Sequence, residues 1–342
     1  MRIILDAMGG DNAPQAPVIG ALQAAKDFGA QITLVGRGEE ILSVMRSQGY
    51  NDLPEGIEIA HADEVVDMHD DPANVIRKKK NSSMVIGLKM LADGLGDAFV
   101  SAGSTGALLS GATLLVKRVK GIRRAAMGPT MPNKAGGKTV ILDCGANAEC
   151  TPEFLLQFGL VGSIYAKQCL GVANPKVGLL NIGSEDTKGT PLQKEAYALL
   201  KEAGEKGIIN FVGNTEARDV PMGAVDVIVC DGFAGNVLVK SIDGTALFMG
   251  SLISRMFKKS ILSKLSAALV MKDIKAFKKL LDYREIGGTP FLGIRKPVIK
   301  AHGSSDALAF RNAVRQAMET PDISAELEAG LQELSNKENG ND

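Results

Sequence analysis

Four loops in this chain collect the residue types that hold an anion. They are Gly103-Ser104-Thr105-Gly106, Gly183-Ser184-Glu185-Asp186-Thr187-Lys188-Gly189-Thr190, Asp231-Gly232-Phe233-Ala234-Gly235-Asn236 and His302-Gly303-Ser304-Ser305-Asp306. Each follows a β-rich run, and most precede a helical stretch. Free amides at helix N-termini, small hydroxyls and one lysine make an oxyanion or phosphate site, and phosphate is the commonest such anion. Lys188 follows Glu185 and Asp186 by three and two residues, so a surface ion pair is one account of it. The other, which the Gly-rich setting favours, is a cation that reaches a bound phosphate or polarises a carbonyl oxygen. Asn236 stands one residue past Gly235 at an expected helix start, where it fits an N-cap or an amide donor to a developing oxyanion. His302 is the histidine that falls in a small-residue loop; His61 and His69 belong to a polar stretch, and a structural role suits any of the three. Cys144 and Cys230 flank candidate loops, but nothing basic adjoins either, so covalent catalysis is disfavoured.

Several familiar chemistries fail on spacing. Gly136-Gly137-Lys138-Thr139 ends like a P-loop, yet Pro132 stands where the first glycine belongs and the segment leads into the strand-like Val140-Ile141-Leu142. A P-loop must open a helix, so nucleoside triphosphate hydrolysis is excluded. Gly36-Arg37-Gly38 has Ile41 in place of the third glycine of a dinucleotide fingerprint. There is no G-x-S-x-G elbow, and with three histidines a Ser-His-Asp hydrolase is a poor fit. Cys144, Cys150, Cys169 and Cys230 show neither C-x-x-C spacing nor a histidine cluster, which argues against zinc and against a disulfide framework. No metal and no cofactor are expected.

A second feature is electrostatic. From Arg255 to Leu281 the chain carries eight basic residues against Asp273 alone, although its formal net charge is +0. Ile261, Leu265 and Leu269 recur every fourth residue among cations such as Lys264 and Lys272, and Ile274, Phe277 and Leu281 repeat the stripe. That is the pattern of a cationic amphipathic helix suited to an anionic bilayer surface; a solvated helix packed on a core, or one docked on an acidic partner, shares it. Phe257 and Phe277 offer no interleaved stacking array, so nucleic acid is not expected.

The elements that must position these loops follow from composition and periodicity. At 342 residues, 45% hydrophobic and 39 of them glycine, the chain is globular and turn-rich. No run resembles a membrane span or a signal peptide, which points to the cytoplasm. β-rich runs at Arg2 to Leu5, Gln31 to Val35, Ile57 to Ala60, Ala98 to Ser101, Lys138 to Leu142, Lys176 to Leu180, Ile208 to Val212 and Val225 to Cys230 alternate with helical stretches. This predicts an α/β fold with a mostly parallel sheet covered on both faces, ligands gathering at the strands' carboxyl ends. With no linker in view, residues 1–330 read as one two-lobed catalytic domain on a continuous sheet. The basic segment 252–281 reads as a helical insertion, and a polar tail over 331–342 is expected to fray from about Ser335.

With these loops in hand, the chain resembles the PlsX family of acyl-acyl carrier protein:phosphate acyltransferases from Met1 to about Glu326. The resemblance rests on Asp6-Ala7-Met8-Gly9-Gly10-Asp11, Ala13-Pro14, Lys79 to Met84, Ser101 to Ala107, Asn181 to Gly189, Asp231 to Val237 and Lys300 to Asp306. It implies a three-layer α/β/α sandwich similar to the isocitrate and isopropylmalate dehydrogenases and to phosphate acetyltransferases. It implies a homodimer in which inorganic phosphate attacks a long-chain acyl thioester on acyl carrier protein, supplying acyl phosphate for phospholipid synthesis. It implies catalytic roles for Lys188 and Asn236, substrate contacts around Asp6, Gly9, Gly10, Gly103, Ser104, Thr105, Gly106, Asp231, His302 and Ser304, and peripheral seating on the inner face of the membrane through 252–281. Two departures stand out: many relatives have histidine where this chain has Asn12, and asparagine where it has Ser104, so no mechanism here can use an imidazole at position 12. The alternatives are a coenzyme A-dependent phosphate acyltransferase and a non-catalytic membrane-surface adaptor.

Overall fold

The computed structural model describes residues 1–67, 69–280 and 282–339. Its strands are β1 (Arg2–Asp6), β2 (Gln31–Gly36), β3 (Ile57–His61), β4 (Ala98–Ser101), β5 (Ala126–Met127), β6 (Thr130–Pro132), β7 (Lys138–Leu142), β8 (Lys176–Asn181), β9 (Asn210–Glu216), β10 (Val227–Val229), β11 (Gly288–Leu292) and β12 (Val298–Ala301). They form two sheets: seven strands in the order β3-β2-β1-β4-β12-β11-β5, and five in the order β6-β7-β10-β8-β9. β3, β2, β1, β4 and β12 run parallel, as do β7, β10, β8 and β9; the antiparallel pairs gather where the sheets meet.

The expectation of one continuous sheet is therefore corrected to two, and the cause is local. Between β5 and β6 lie Gly128 and Pro129, and a proline has no N–H to continue a ladder. Gly128 N still donates to Pro290 O of the first sheet at 3.0 Å, whereas Pro129 O accepts from Ile141 N of the second at 3.0 Å. One extended segment is thus the edge of both sheets, and it joins the two lobes.

Helices cover both faces of each sheet, giving the three-layer α/β/α sandwich. Gln15–Phe28 and Ala307–Glu319 pack on one face of the seven-stranded sheet, and Ser83–Ala92 and Thr105–Gly111 on the other. Gly20 permits the first pair to meet, since a Cβ there would lie 2.5 Å from Phe310 Cβ. That approach buries Phe310 completely, worth about 1.5–3 kcal/mol relative to exposure. On the five-stranded sheet Pro152–Leu170 and Pro191–Glu205 take one face and the first turns of Gly232–Lys258 the other. The C-terminal segment is helical over Ser324–Asn339, where Leu327 and Leu331 are buried and Leu334 packs on the same core. Residues 340–342 of the expected tail lie outside those described.

The basic segment is helical, as expected, but it is the end of the 27-residue helix Gly232–Lys258 followed by Ile261–Leu269 and Met271–Leu280. Ser260 caps the second of these, accepting from Ser263 N at 3.1 Å. Leu281 and the side chains of Lys275, Lys278 and Lys279 lie outside the described set. The reading that no run resembles a membrane span needs one correction: Gly232–Lys258 is long and apolar enough to cross a bilayer, by length and composition alone. Gly232, Gly235 and Leu238 bury its first turns against the sheet.

Candidate active site

In the seven-stranded sheet β1, β4 and β12 are parallel neighbours, so Asp6, Ser101 and Ala301 end at one edge. Asp6 is buried; its Oδ2 accepts from Ser101 Oγ at 2.7 Å and its Oδ1 from Met8 N at 3.1 Å. Burial pushes its pKa up, against these hydrogen bonds and one from Ser83. Ser101 Oγ in turn accepts from Gly103 N at 3.0 Å. The loops after β1 and β4 are thereby clasped so closely that a Cβ at Gly9 would lie 2.6 Å from Asp6 Oδ2 and 2.8 Å from Gly103 N. Gly10, at φ +99°, sits between Ala102 and Gly303. The loop after β12 is tied in by Asp11 N donating to Gly303 O at 2.8 Å and by Asn12 Nδ2 donating to Ser304 O and Ser305 O at 3.2 and 3.1 Å. Asn12 is thus a brace between loops. His302 Nδ1 lies 3.2 Å from Ser304 N and 2.8 Å from Ser304 Oγ. Ser104 is the N-cap of Thr105–Gly111, yet its hydroxyl caps no amide; Thr105 and Gly106 form the first turn.

A second cluster lies at the carboxyl ends of β7, β10 and β8, again parallel neighbours. Its centre is Asp143, fully buried, whose carboxyl pKa is raised by burial. Oδ1 accepts from Met127 N at 2.8 Å, Cys144 N at 2.7 Å and Ala146 N at 3.3 Å, while Oδ2 accepts from Asn147 N at 2.6 Å and Asn147 Nδ2 at 3.1 Å. One carboxylate thus shapes the loop 143–147 on which the helix Gly232–Lys258 is seated. Asp231 is that helix's N-cap, accepting from Ala234 N at 2.8 Å, so the N-cap reading of Asn236 is corrected: Asn236 stands inside the helix. Its amide reaches back to the loop, Nδ2 lying 3.2 Å from where a Cβ on Gly145 would be.

Lys188 belongs to the neighbouring loop after β8. Asn181 braces that loop, its Nδ2 donating to Lys188 O at 3.1 Å and its Oδ1 accepting from Ile182 N at 2.8 Å. The lysine stem lies over Gly183, where a Cβ would be 3.2 Å from its Cγ. The ammonium is 4.0 Å from Glu185 Oε1 in a half-exposed pair, too loose to hold it against another anion.

The four candidate loops therefore do not share one sheet edge. Two lie on each sheet, and the helix Gly232–Lys258 connects the sets: Asp243, three turns into it, is raised in pKa by partial burial while the charge of His302 opposes that shift. Lys240 and Asp243 of the same helix also act electrostatically on Cys144.

The cysteines stay out of the chemistry. Burial, then Asp143, pushes the thiols of Cys144 and Cys150 up to about 12, and burial raises Cys230 well above its usual value. Three residues that sequence reasoning gave no individual role sit in the clusters: Asp143, Lys300, buried on β12, and Ser305, a buried hydroxyl without a protein partner among the described residues. Lys300 and Ser305 lie in the same short motif as His302, but only burial separates them from their neighbours.

The arrangement of two α/β lobes is a fold shared with several solved enzymes. A phosphotransacetylase from Streptococcus pyogenes superposes with a TM-score of 0.60 at 18% identity, covering 95% of this chain and 94% of that one. A branched-chain phosphotransacylase from Enterococcus faecalis V583 gives 0.55 at 17% identity, covering 94% and 99%. A 4-hydroxythreonine-4-phosphate dehydrogenase from Klebsiella pneumoniae gives 0.55 at 11% identity, covering 93% and 98%. At such identities these likenesses show the fold alone. In sequence, a phosphate acyltransferase of Alkaliphilus oremlandii (strain OhILAs) is 48% identical over 322 residues, 94% of each chain, and one of Bacillus thuringiensis (strain Al Hakam) is 46% identical over 320 residues, 93% of this chain and 94% of the relative. The family model described as fatty acid synthesis protein matches residues 1–324. The chain belongs to that family, the PlsX family of acyltransferases.

Proposed function

We propose that this protein transfers a long-chain acyl group from an acyl carrier protein thioester to inorganic phosphate, releasing acyl phosphate and the free carrier thiol. The observation that carries the reading is the pairing of two small-residue loop clusters, one with Lys188 and Asn236, through the helix Gly232–Lys258, which holds Asn236 at one cluster and whose Asp243 is acted on electrostatically by His302 of the other. Near neutrality phosphate is already partly a dianion, and a thiolate leaves readily, its thiol pKa being about 8.5. A phosphate oxygen attacks the thioester carbonyl, the tetrahedral oxyanion collapses, the C–S bond breaks and the sulfur leaves as thiolate. No strong general base is needed. The protein's tasks are to orient phosphate, stabilise the oxyanion and exclude water. In this reading Gly103 to Gly106 with His302 and Ser304 hold one substrate, Lys188 and Asn236 act at the carbonyl, and Asp6 and Asp231 brace their loops.

Trapping acyl phosphate with hydroxylamine tests this directly. Acyl hydroxamate is expected from the carrier-protein thioester only when phosphate is present. Product from the coenzyme A thioester alone would reassign the donor, and no product from either would leave the adaptor reading. Sedimentation of the same preparation is expected to show a homodimer; a monomer would remove that part.

The reading extends to peripheral seating on the cytoplasmic membrane face. Ile261, Leu265 and Leu269 are 78%, 62% and 88% exposed, Phe277 is 40% exposed, and Lys258, Lys264 and Lys272 are also exposed. Exposed apolar residues beside cations suit an anionic bilayer. Reversing Lys258, Lys264 and Lys272 to Glu is expected to release the protein from anionic vesicles in a flotation assay and to leave turnover of soluble substrate unchanged. Undiminished flotation would refute the seating.

A further inference from the structure

Lys300 is a buried charge to which the proposed chemistry gives no part. It lies on β12, in register with Ser101 of β4 and Thr289 of β11, and is 8% exposed. A lysine rarely goes so deep unless it is paired. Its Nζ donates to Ala102 O at 3.3 Å and to Ala301 O, the carbonyls immediately before Gly103 and His302. Asp6 of β1 is bonded to Ser101, which is in register with Lys300, and the Asp11 carboxylate lies 3.7 Å from where a Cβ on Gly303 would be; both acids act electrostatically on the lysine. On the helix Ala307–Glu319, which packs over β12, the nearby arginines are engaged elsewhere: Arg311 with Asp27 at 2.6 Å and Arg315 with Glu319 at 3.5 Å.

We propose that Lys300 is a positioning residue whose ammonium offsets the carboxylates of Asp6 and Asp11 beneath the loops Gly103–Gly106 and His302–Ser304, so that this sheet edge can admit a phosphate dianion. The inference deepens the phosphate acyltransferase reading and rests on it for the identity of the anion. Without that cation, two acids would face the incoming anion across a partly buried edge where charges are weakly screened. Burial pushes the Lys300 pKa down to about 8, with Asp11 and Asp6 opposing the shift. Its charge is therefore present at neutrality and lost as pH rises through that value, by which point phosphate has already become the dianion.

The test reads phosphate binding by phosphorus NMR without acyl donor, alongside phosphate KM and kcat, so a failure of the acyl-transfer reading stays separate from a failure here. Wild-type phosphate affinity is expected to fall as pH rises through about 8, and Lys300→Arg, which keeps its charge, to move that fall out of range. Lys300→Met is expected to raise phosphate Kd and KM about tenfold or more with a smaller change in kcat, and adding Asp11→Asn to recover most of the loss. A merely structural lysine would give a loss that Asp11→Asn does not repair. Unchanged phosphate affinity in Lys300→Met, or no rescue, overturns the proposal. If the Met variant does not fold, a wild-type binding profile that is flat through the alkaline range does so alone.

Discussion

Replacing Lys188 with alanine is expected to lower kcat on the order of a hundredfold or more, the usual scale for losing one preorganised electrostatic contact to a developing oxyanion. The geometry makes this a clean experiment. Half of the side chain is in solvent and its ion pair with Glu185 is 4.0 Å long, so its removal costs little stability. Asn181 fixes the loop through the backbone carbonyl of Lys188, a contact alanine keeps. The loss should therefore appear in turnover while the thermal midpoint stays put. Lys188→Arg should recover only part of it, because a planar fork does not place a point charge where an ammonium does. Near-normal kinetics in Lys188→Ala would take the residue out of the site.

How far the sequence could be read depended on where each signal was stored. β1, β2, β4 and β7 were legible because they are buried on both sides and read as short apolar runs between glycines and acids. β9 was set too early, at Ile208, because the observed strand Asn210–Glu216 is a polar sheet edge with an irregularity opposite Gly178. β5 and β6 went unseen because two or three residues carry no period, and β11 because Pro290 interrupts its five; these are the strands at which one expected sheet becomes two. The candidate loops were visible as small residues after strands. Their division between two edges was not, because strand order is a long-range property. Asp143 looked like one acid among many, and only five acceptor contacts at full burial reveal it as the fixture of the second cluster. Asn236 was placed at a helix start by type, but Asp231, five residues earlier, takes the cap.

The second large effect is expected at Gly235, and it measures how rigidly Asn236 is presented. A Cβ at Gly235 would lie 1.9 Å from Asp143 O and 2.8 Å from Cys230 Sγ, and the first of these is backbone that cannot rotate away. Cys230 N is itself bonded to Leu142 O and Asp143 N to Cys230 O, so the strands cannot separate without breaking the ladder that holds the site. Overpacking in a core commonly costs about 1–3 kcal/mol, and with a backbone oxygen as the obstacle Gly235→Ala should reach about 3 kcal/mol or more. Gly244, two turns further along the same helix, has nothing within 4 Å of its Cβ position. There alanine should stabilise the protein by about 0.5–1 kcal/mol, the ordinary helix-propensity gain. The two substitutions are chemically identical and share one helix, so denaturant titrations that move in opposite directions, with acyl transfer lost in the first and kept in the second, would locate the difference in the contact with Asp143. If Gly235→Ala were as stable and as active as Gly244→Ala, the loop 143–147 would have to yield by more than an ångström, and the helix start could not be the fixed platform on which Asn236 meets an oxyanion.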